Sequence, residues 1–383
     1  MSNVALPLAP RGGSRLALPV LLAIGAIDAA GYSVIAPVLP ELEEATGAGP
    51  AVLGLLVATL SLTMLLGLPL AGVLVRRVSA QVVLALGLAI VAIGTLGMIV
   101  GESLAAYFPA RAVTGVGAGG VWLGVVLATL ERWPGEAYVC MSRIVAAYSV
   151  GSVLGLALGA IGGVRGPFVA YLCFVTAAIP AVLLLLGQPA REAQLGSERG
   201  ALRLPGFVLS TAVVLFAWVG FGVLEGVLPL LFGDRLDQAT IAAILVCTSL
   251  VIAASAALAA RFRPLSVIYV AAPLAIAGIA LAGAVDNVVL WAVALAAIGA
   301  GLGACTTGSI GILLETVGRD RIVLPMVVWS QAGILGYLLG PALGGLVADA
   351  LGYGAIGLVP LVFAAVAGAV ALYVAPWRDG QPA

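Results

Sequence analysis

Runs of about twenty apolar residues recur from one end of this sequence to the other, and few folds can absorb them. A helix rising ~1.5 Å per residue needs about 20 residues to cross a ~30 Å hydrocarbon layer. Lipid offers no partner to backbone N–H and C=O groups, so a spanning segment must be a helix or part of a closed barrel. A barrel would show alternating segments of about ten residues, and the sequence has none. With 63% hydrophobic and 9% charged residues, the chain cannot clothe a soluble domain of its length. The expected fold is all-α and polytopic.

Twelve spans are expected, at about 16–38, 50–75, 80–100, 103–130, 138–163, 167–187, 206–232, 238–260, 264–284, 287–314, 322–347 and 353–376. The one long polar connection is 188–204, with three arginines and two glutamates. It divides the chain into an N-terminal bundle of six helices (1–187), a linker (188–204) and a C-terminal bundle of six (205–383). The run after the N-terminal tail is too long for the apolar core of a signal peptide and is expected to be a retained helix. Fourteen arginines fall on the side of the linker and two, Arg165 and Arg235, on the other. The positive-inside rule then places both termini and the linker in the cytoplasm, in an inner or plasma membrane.

The halves echo each other. Val38-Leu39-Pro40 recurs as Val227-Leu228-Pro229, Gly115-Val-Gly117 as Gly301-Leu-Gly303, and Gly155-x3-Gly159 as Gly336-x3-Gly340. The three matches keep the same order and nearly the same separation along the chain. They predict an internal duplication and two pseudo-symmetric six-helix bundles.

Against this apolar background the intramembrane polar residues stand out. Asp28 lies near the middle of span 1, where an unpaired charge costs about 2.5–3.5 kcal/mol or more, so it is expected to face a cavity, a partner or a ligand. A carboxyl group there can carry a proton or attract a cation. Tyr32 lies one turn further on the same face. Arg111 is buried in span 4, and a carboxylate is its natural partner. Glu225 in span 7 shares a face with Trp218 and Phe221, a plausible cation-binding wall. Gln331 in span 11 is a candidate neutral contact. Individual Ser and Thr side chains are expected to bond back to their own helices. Gly115, Gly117, Gly155, Gly159, Gly336, Gly340, Gly344 and Gly345 allow close helix packing, and Pro341 allows a bend. Spans 5 and 11, glycine-lined, are expected to form the contact between the halves that opens and closes.

These motifs resemble the major facilitator superfamily, near its drug:proton antiporter branch. The first span, Asp28 to Pro37-Val-Leu-Pro40, is similar to that of tetracycline/proton exporters. Arg111-x3-Gly115-x-Gly117 matches an RxxxGxG pattern whose Arg is tied to proton coupling. Gly336-x3-Gly340-Pro341-x2-Gly344-Gly345 matches the antiporter GxxxGPxxGG pattern, which in that family lies in span 5. The loop between spans 2 and 3 departs from GxLaDRxGRR, with Arg76 in the place of the acid. The resemblance implies proton-coupled export by alternating access.

Absent residue types narrow the classes further. All 17 basic residues are Arg, and there is no His. Without Lys there is no phosphate-binding P-loop, and without His no His-ligated metal and no Ser-His pair. No cofactor, metal, ATP or nucleic-acid partner is expected, and the chain is not expected to be an enzyme. Cys140, Cys173, Cys247 and Cys305 read as small buried hydrophobes. The expected partners are protons, a small amphipathic or cationic compound and membrane lipid, with the monomer as the working unit. The alternatives are a facilitator or exporter of one metabolite (a sugar, amino acid or natural product) and a non-transporting membrane sensor or scaffold.

Overall fold

The computed structural model describes residues 16–75, 77–133, 137–185, 199–233, 235–317 and 323–378. Arg11, Arg15, Arg76, Arg191, Asp234, Arg319, Arg321 and residues 188–198 of the predicted linker lie outside the described residues. In the first half the helices are α1 (Ala17–Ser33), α2 (Leu39–Thr46), α3 (Pro50–Leu74), α4 (Ala80–Val100), α5 (Leu104–Arg132), α6 (Ala137–Gly159) and α7 (Arg165–Leu185). The second half has α8 (Pro205–Gly226), α9 (Leu228–Gly233), α10 (Gln238–Ala259), α11 (Pro264–Ala284), α12 (Val288–Val317), α13 (Val323–Leu351) and α14 (Leu358–Arg378). Among the described residues eleven helical segments are long and apolar enough to cross a membrane, and α6 adds a shorter apolar stretch, Ala146–Gly159. Among the described residues there is no strand.

The first span of each half is broken, and the first span of the chain is also longer than its apolar run suggests. The first runs from Ala17 to Thr46, interrupted by a 3₁₀ turn at Ala36–Val38, so Glu41, Glu43 and Glu44 sit on a helical extension rather than in a loop. The seventh runs from Pro205 to Gly233, interrupted at Val227. Proline explains both breaks. Pro37 and Pro40, and then Pro229, lack the N–H that would continue the ladder. The repeated Val-Leu-Pro thus marks a bend made twice.

Glycines set the packing distances. On α6, a Cβ at Gly151 or Gly155 would collide with Ala26 or Ala30 of α1, and one at Gly159 with Val34 and Pro37 just beyond it. On α13, a Cβ at Gly336 or Gly340 would crowd Leu215 or Val219 of α8, and one at Gly344 would crowd Val223 and the following Val227 at its end. The two series match contact for contact. Gly151 on Ala26 answers to Gly336 on Leu215, Gly155 on Ala30 to Gly340 on Val219, and Gly159 on Val34 to Gly344 on Val223. Similarly, Gly117 seats on Gly87 and Val91 of α4, and Gly301 seats on Ala271 and Ala275 of α11. The duplication is therefore present in the packing, with a corrected register. Gly151, not Gly155, corresponds to Gly336, and Gly117, not Gly115, corresponds to Gly301. Apolar-glycine strings slide by a turn without penalty in sequence. Contacts fix them.

Each half has its own apolar core. Most of the glycines of α6 and α13 pack against α1 and α8 of their own half, while spans 5 and 11 form the contact between the halves through other faces and through Gly345. The halves do meet along α3 with α13 and α6 with α10. There the close approaches are Gly54 to Pro341, Gly345 to Pro50 and Ala51, and Gly233 to Pro40. All three lie at the end of the molecule away from the predicted linker, hereafter the distal end. Gln238 clasps the same end: its Nε2 donates to Gly159 O at 2.7 Å, and its Oε1 accepts from Gly163 N at 2.9 Å.

The outward faces carry exposed Leu66, Leu70, Leu184, Val289 and Leu372, as a lipid-facing surface should. Cys140 and Cys305 are buried as expected, but Cys173 and Cys247 face outward. At the other, proximal end of α5, beyond the apolar stretch, burial pushes the Glu131 carboxyl above the usual carboxylate range, against the pull of the Arg132 guanidinium.

Gly155→Leu should lower stability by about 1–3 kcal/mol or more, because backbone atoms of α1 occupy the space its side chain needs. Gly162→Ala, at a position with open space around it, should leave the melting temperature of the detergent-solubilised protein unchanged.

Candidate functional site

A cavity of about 260 Å³ lies between the halves, lined from α1, α3, α5 and α6 on one side and α8, α10, α12 and α13 on the other. At its distal end Ser33, Glu225 and Tyr337 are buried, whereas Ser149 and Ala253, nearer the linker end, are exposed. The cavity is thus roofed distally and opens proximally. Its lining is mostly apolar and aromatic, with hydroxyls at Thr306, Thr307, Ser249 and Ser330.

Glu225 is the one Asp, Glu or Arg among the described residues lining this cavity. The side chain, 5% exposed, is held by three hydroxyls. Tyr337 on α13 donates to Oε2 at 2.6 Å, Ser33 on α1 to Oε1 at 3.0 Å, and Ser152 on α6 to Oε1 at 3.2 Å. Ser33 and Ser152 also lie 2.7 Å from each other. Around the carboxylate stand aromatic rings. Tyr32 meets Tyr337 edge-on at 5.7 Å, Trp218 lies 6.3 Å from Tyr337, and Phe221 lies 5.9 Å from Trp218. The expected wall of Trp218, Phe221 and Glu225 is brought together, with Tyr32 opposite. The Tyr32 hydroxyl points to Met64 Sδ.

Asp28 lies one layer behind the wall. It is 3% exposed and is not among the lining residues; Tyr148, which is, donates to its Oδ2. Tyr148 is itself steadied by an edge-on contact with Trp122 at 5.1 Å. Arg111 is also behind the wall, 2% exposed, and does not take Asp28 as its partner. Its Nη1 donates to Gly31 O at 3.2 Å, and its Nε and Nη2 meet no acceptor among the described residues. Gly31 has no room for a side chain, because the Tyr171 hydroxyl fills that space. Gln331 is half-buried on α13 and is not among the cavity-lining residues.

The residues that sequence reasoning passed over are the hydroxyls. Most behave as expected: Thr95, Thr114, Thr248 and Thr306 bond back to their own helices. Ser33 and Ser152 instead reach into the other half, and no sequence signal separates them from the rest. Tyr337 has a clue: it occupies the position corresponding to Ser152 once Gly151 is matched to Gly336. Among the described residues no cluster of His, Cys, Asp or Glu is arranged to hold a metal ion.

The sequence profile of the Major Facilitator Superfamily matches residues 21–323. The chain belongs to that superfamily. No curated protein sequence matches it. Its fold is similar to the crystal structure of a bacterial homolog of the human lysosomal transporter Spinster, in an inward-facing, unoccupied conformation. That match has a TM-score of 0.73 and 16% identity, over 96% of this chain and 98% of the other. It is also similar to the human organic anion transporter MFSD10 (TETRAN), with a TM-score of 0.67 and 18% identity over 93% and 99% of the two chains. The nucleoside transporter NupG gives a TM-score of 0.68 and 14% identity over 95% and 99%. This superfamily chain is a multi-pass membrane protein of the transporter fold, and a transporter rather than an enzyme.

Tyr148→Phe keeps the ring contact with Trp122 and deletes the donor to Asp28. It should cost about 1.5–3 kcal/mol, the range for a hydrogen bond to a charged group. Combined with Asp28→Asn, the loss in thermal unfolding should be clearly less than the sum of the two single effects. Strict additivity would mean that the pair does not interact.

Proposed function

We propose that this chain exports a small amphipathic or cationic compound across the inner or plasma membrane in exchange for protons, by alternating access. Residues 1–187 and 205–383 would rock as two bundles about the central cavity, joined by the 188–204 linker, with both termini cytoplasmic and the monomer as the working unit. The observation that carries the reading is the character of the cavity. Among the described lining residues its single charge-bearing side chain is a carboxylate, set among aromatic rings that favour a cation over an anion.

Two carboxyl groups in two environments suit two roles. Glu225 reaches the cavity, where a cationic substrate meets it. Asp28 lies behind Tyr148, screened from substrate, and serves as the proton site. Arg111, with two guanidinium nitrogens unpaired among the described residues, would take up Asp28 when the helices shift. Coupling requires that the protonated and the substrate-loaded protein favour different facing states, since equal affinity for both moves nothing. The solved relatives are transporters described for an organic anion and for nucleosides, so a specific metabolite is the second reading. An anion would find no cation among the described residues of this cavity wall.

The test is efflux of a lipophilic cationic dye from reconstituted vesicles under an imposed pH gradient. The parent should move dye against its gradient, Asp28→Asn should lose the response to pH, and Glu225→Gln should lose dye movement. Equal dye movement by the parent and both variants would refute the assignment. Failure of the parent to move any cationic dye would favour a metabolite substrate or a non-transporting role.

A further inference from the structure

We infer that Glu225 is both the cation-binding group of the cavity and the catch that holds the distal end shut, with Ser33 and Ser152 as its positioning residues. The binding half of this statement rests on the cation-export reading above; the catch does not. The side-chain hydrogen bonds described between the halves end on two residues of the second half, Glu225 and Gln238. Gln238 grips the distal rim and is not among the cavity-lining residues. Glu225 is among them, so a ligand entering from the open proximal side reaches this catch and not the other.

The donors are arranged so that the catch can let go. Tyr337 belongs to the same half as Glu225 and keeps its bond when the halves separate. Ser33 and Ser152 both belong to the first half and stand 2.7 Å apart, close enough to bond each other. When an ammonium or other cation takes the carboxylate of Glu225, one serine can donate to the other, so that one of the two hydroxyl donors keeps an acceptor. Buried donors orphaned by opening would oppose it, and this pairing lowers that cost by satisfying one of the two. Opening then requires that the Gln238 clasp, the ring contact of Tyr32 with Tyr337 and the close approaches of Gly54 with Pro341, Gly345 with Pro50 and Gly233 with Pro40 part. A cation that binds Glu225 therefore weakens the distal seal it must pass. An apolar neutral molecule of the same size, with nothing to offer the carboxylate, leaves the seal intact.

Distal opening is measurable without transport. Spin labels at Gly162→Cys and Gly354→Cys report it, one at the distal end of each half; a side chain at Gly162 meets open space and one at Gly354 only an ordinary contact with Gly283 O at 3.9 Å. The four native cysteines are first replaced by alanine. Double electron–electron resonance on the reconstituted protein gives the distance distribution. Ser33→Ala with Ser152→Ala should shift the open-to-closed ratio about tenfold or more toward long distances in the absence of ligand. Ser33→Thr with Ser152→Thr should restore the short distance. Tetraphenylphosphonium should lengthen the distance in the parent and fail to do so in Glu225→Gln. A distribution unchanged by the double alanine substitution would overturn the catch. Opening by the double alanine variant with no response of the parent to tetraphenylphosphonium would sink the cation reading and leave the catch standing.

Discussion

A membrane interior gives a buried polar group nothing to bond except other protein groups, and the centre of this molecule follows from that constraint. Asp28 takes the Tyr148 hydroxyl, Arg111 takes the Gly31 carbonyl, and Glu225 takes three hydroxyls. The first two arrangements stay within one half. The third crosses between halves, so the satisfaction of one carboxylate is tied to the relative position of two bundles. In water such a tie would be cheap to break. In an apolar surround it defines a closed state.

The glycines allow that tie to form. Packing of α6 on α1 and of α13 on α8 brings backbones together at positions where any Cβ would collide. Each half is therefore a dense unit with a serine or tyrosine at a matching place on α6 and α13, Ser152 and Tyr337. Both point at the same carboxylate because the halves are related copies set face to face. Asp28 and Glu225 are not related in this way. In the register that matches Ala26 to Leu215 and Val34 to Val223, the counterparts of Asp28 and Glu225 are Ala217 and Ala36. The duplication supplied the frame, and the two acids were placed on it independently.

Much of this was legible in the sequence. Span count, helical class and the superfamily follow from apolar run lengths and a few motifs, because bilayer thickness imposes a length that composition cannot hide. Glu225 with Trp218 and Phe221 was visible as a helical face. Three things were not. The glycine register slid by half a turn or a whole one, since strings of Gly, Ala and Leu match themselves at many offsets. The pairing of Arg111 with Asp28 was the natural guess from charge alone, but a backbone carbonyl at Gly31 takes the guanidinium instead. Ser33 looked like any other intramembrane hydroxyl, because its role depends on a carboxylate 192 residues away in the chain.

The measurement that bears most directly on this account is the affinity of the purified protein for tetraphenylphosphonium, titrated calorimetrically into the parent, Glu225→Gln and Asp28→Asn. If Glu225 is the charge of the cavity and Asp28 stands behind its wall, Glu225→Gln loses about tenfold or more in affinity, equivalent to at least ~1.4 kcal/mol, and Asp28→Asn binds nearly as the parent does. Undiminished binding by Glu225→Gln, or a loss confined to Asp28→Asn, would contradict it.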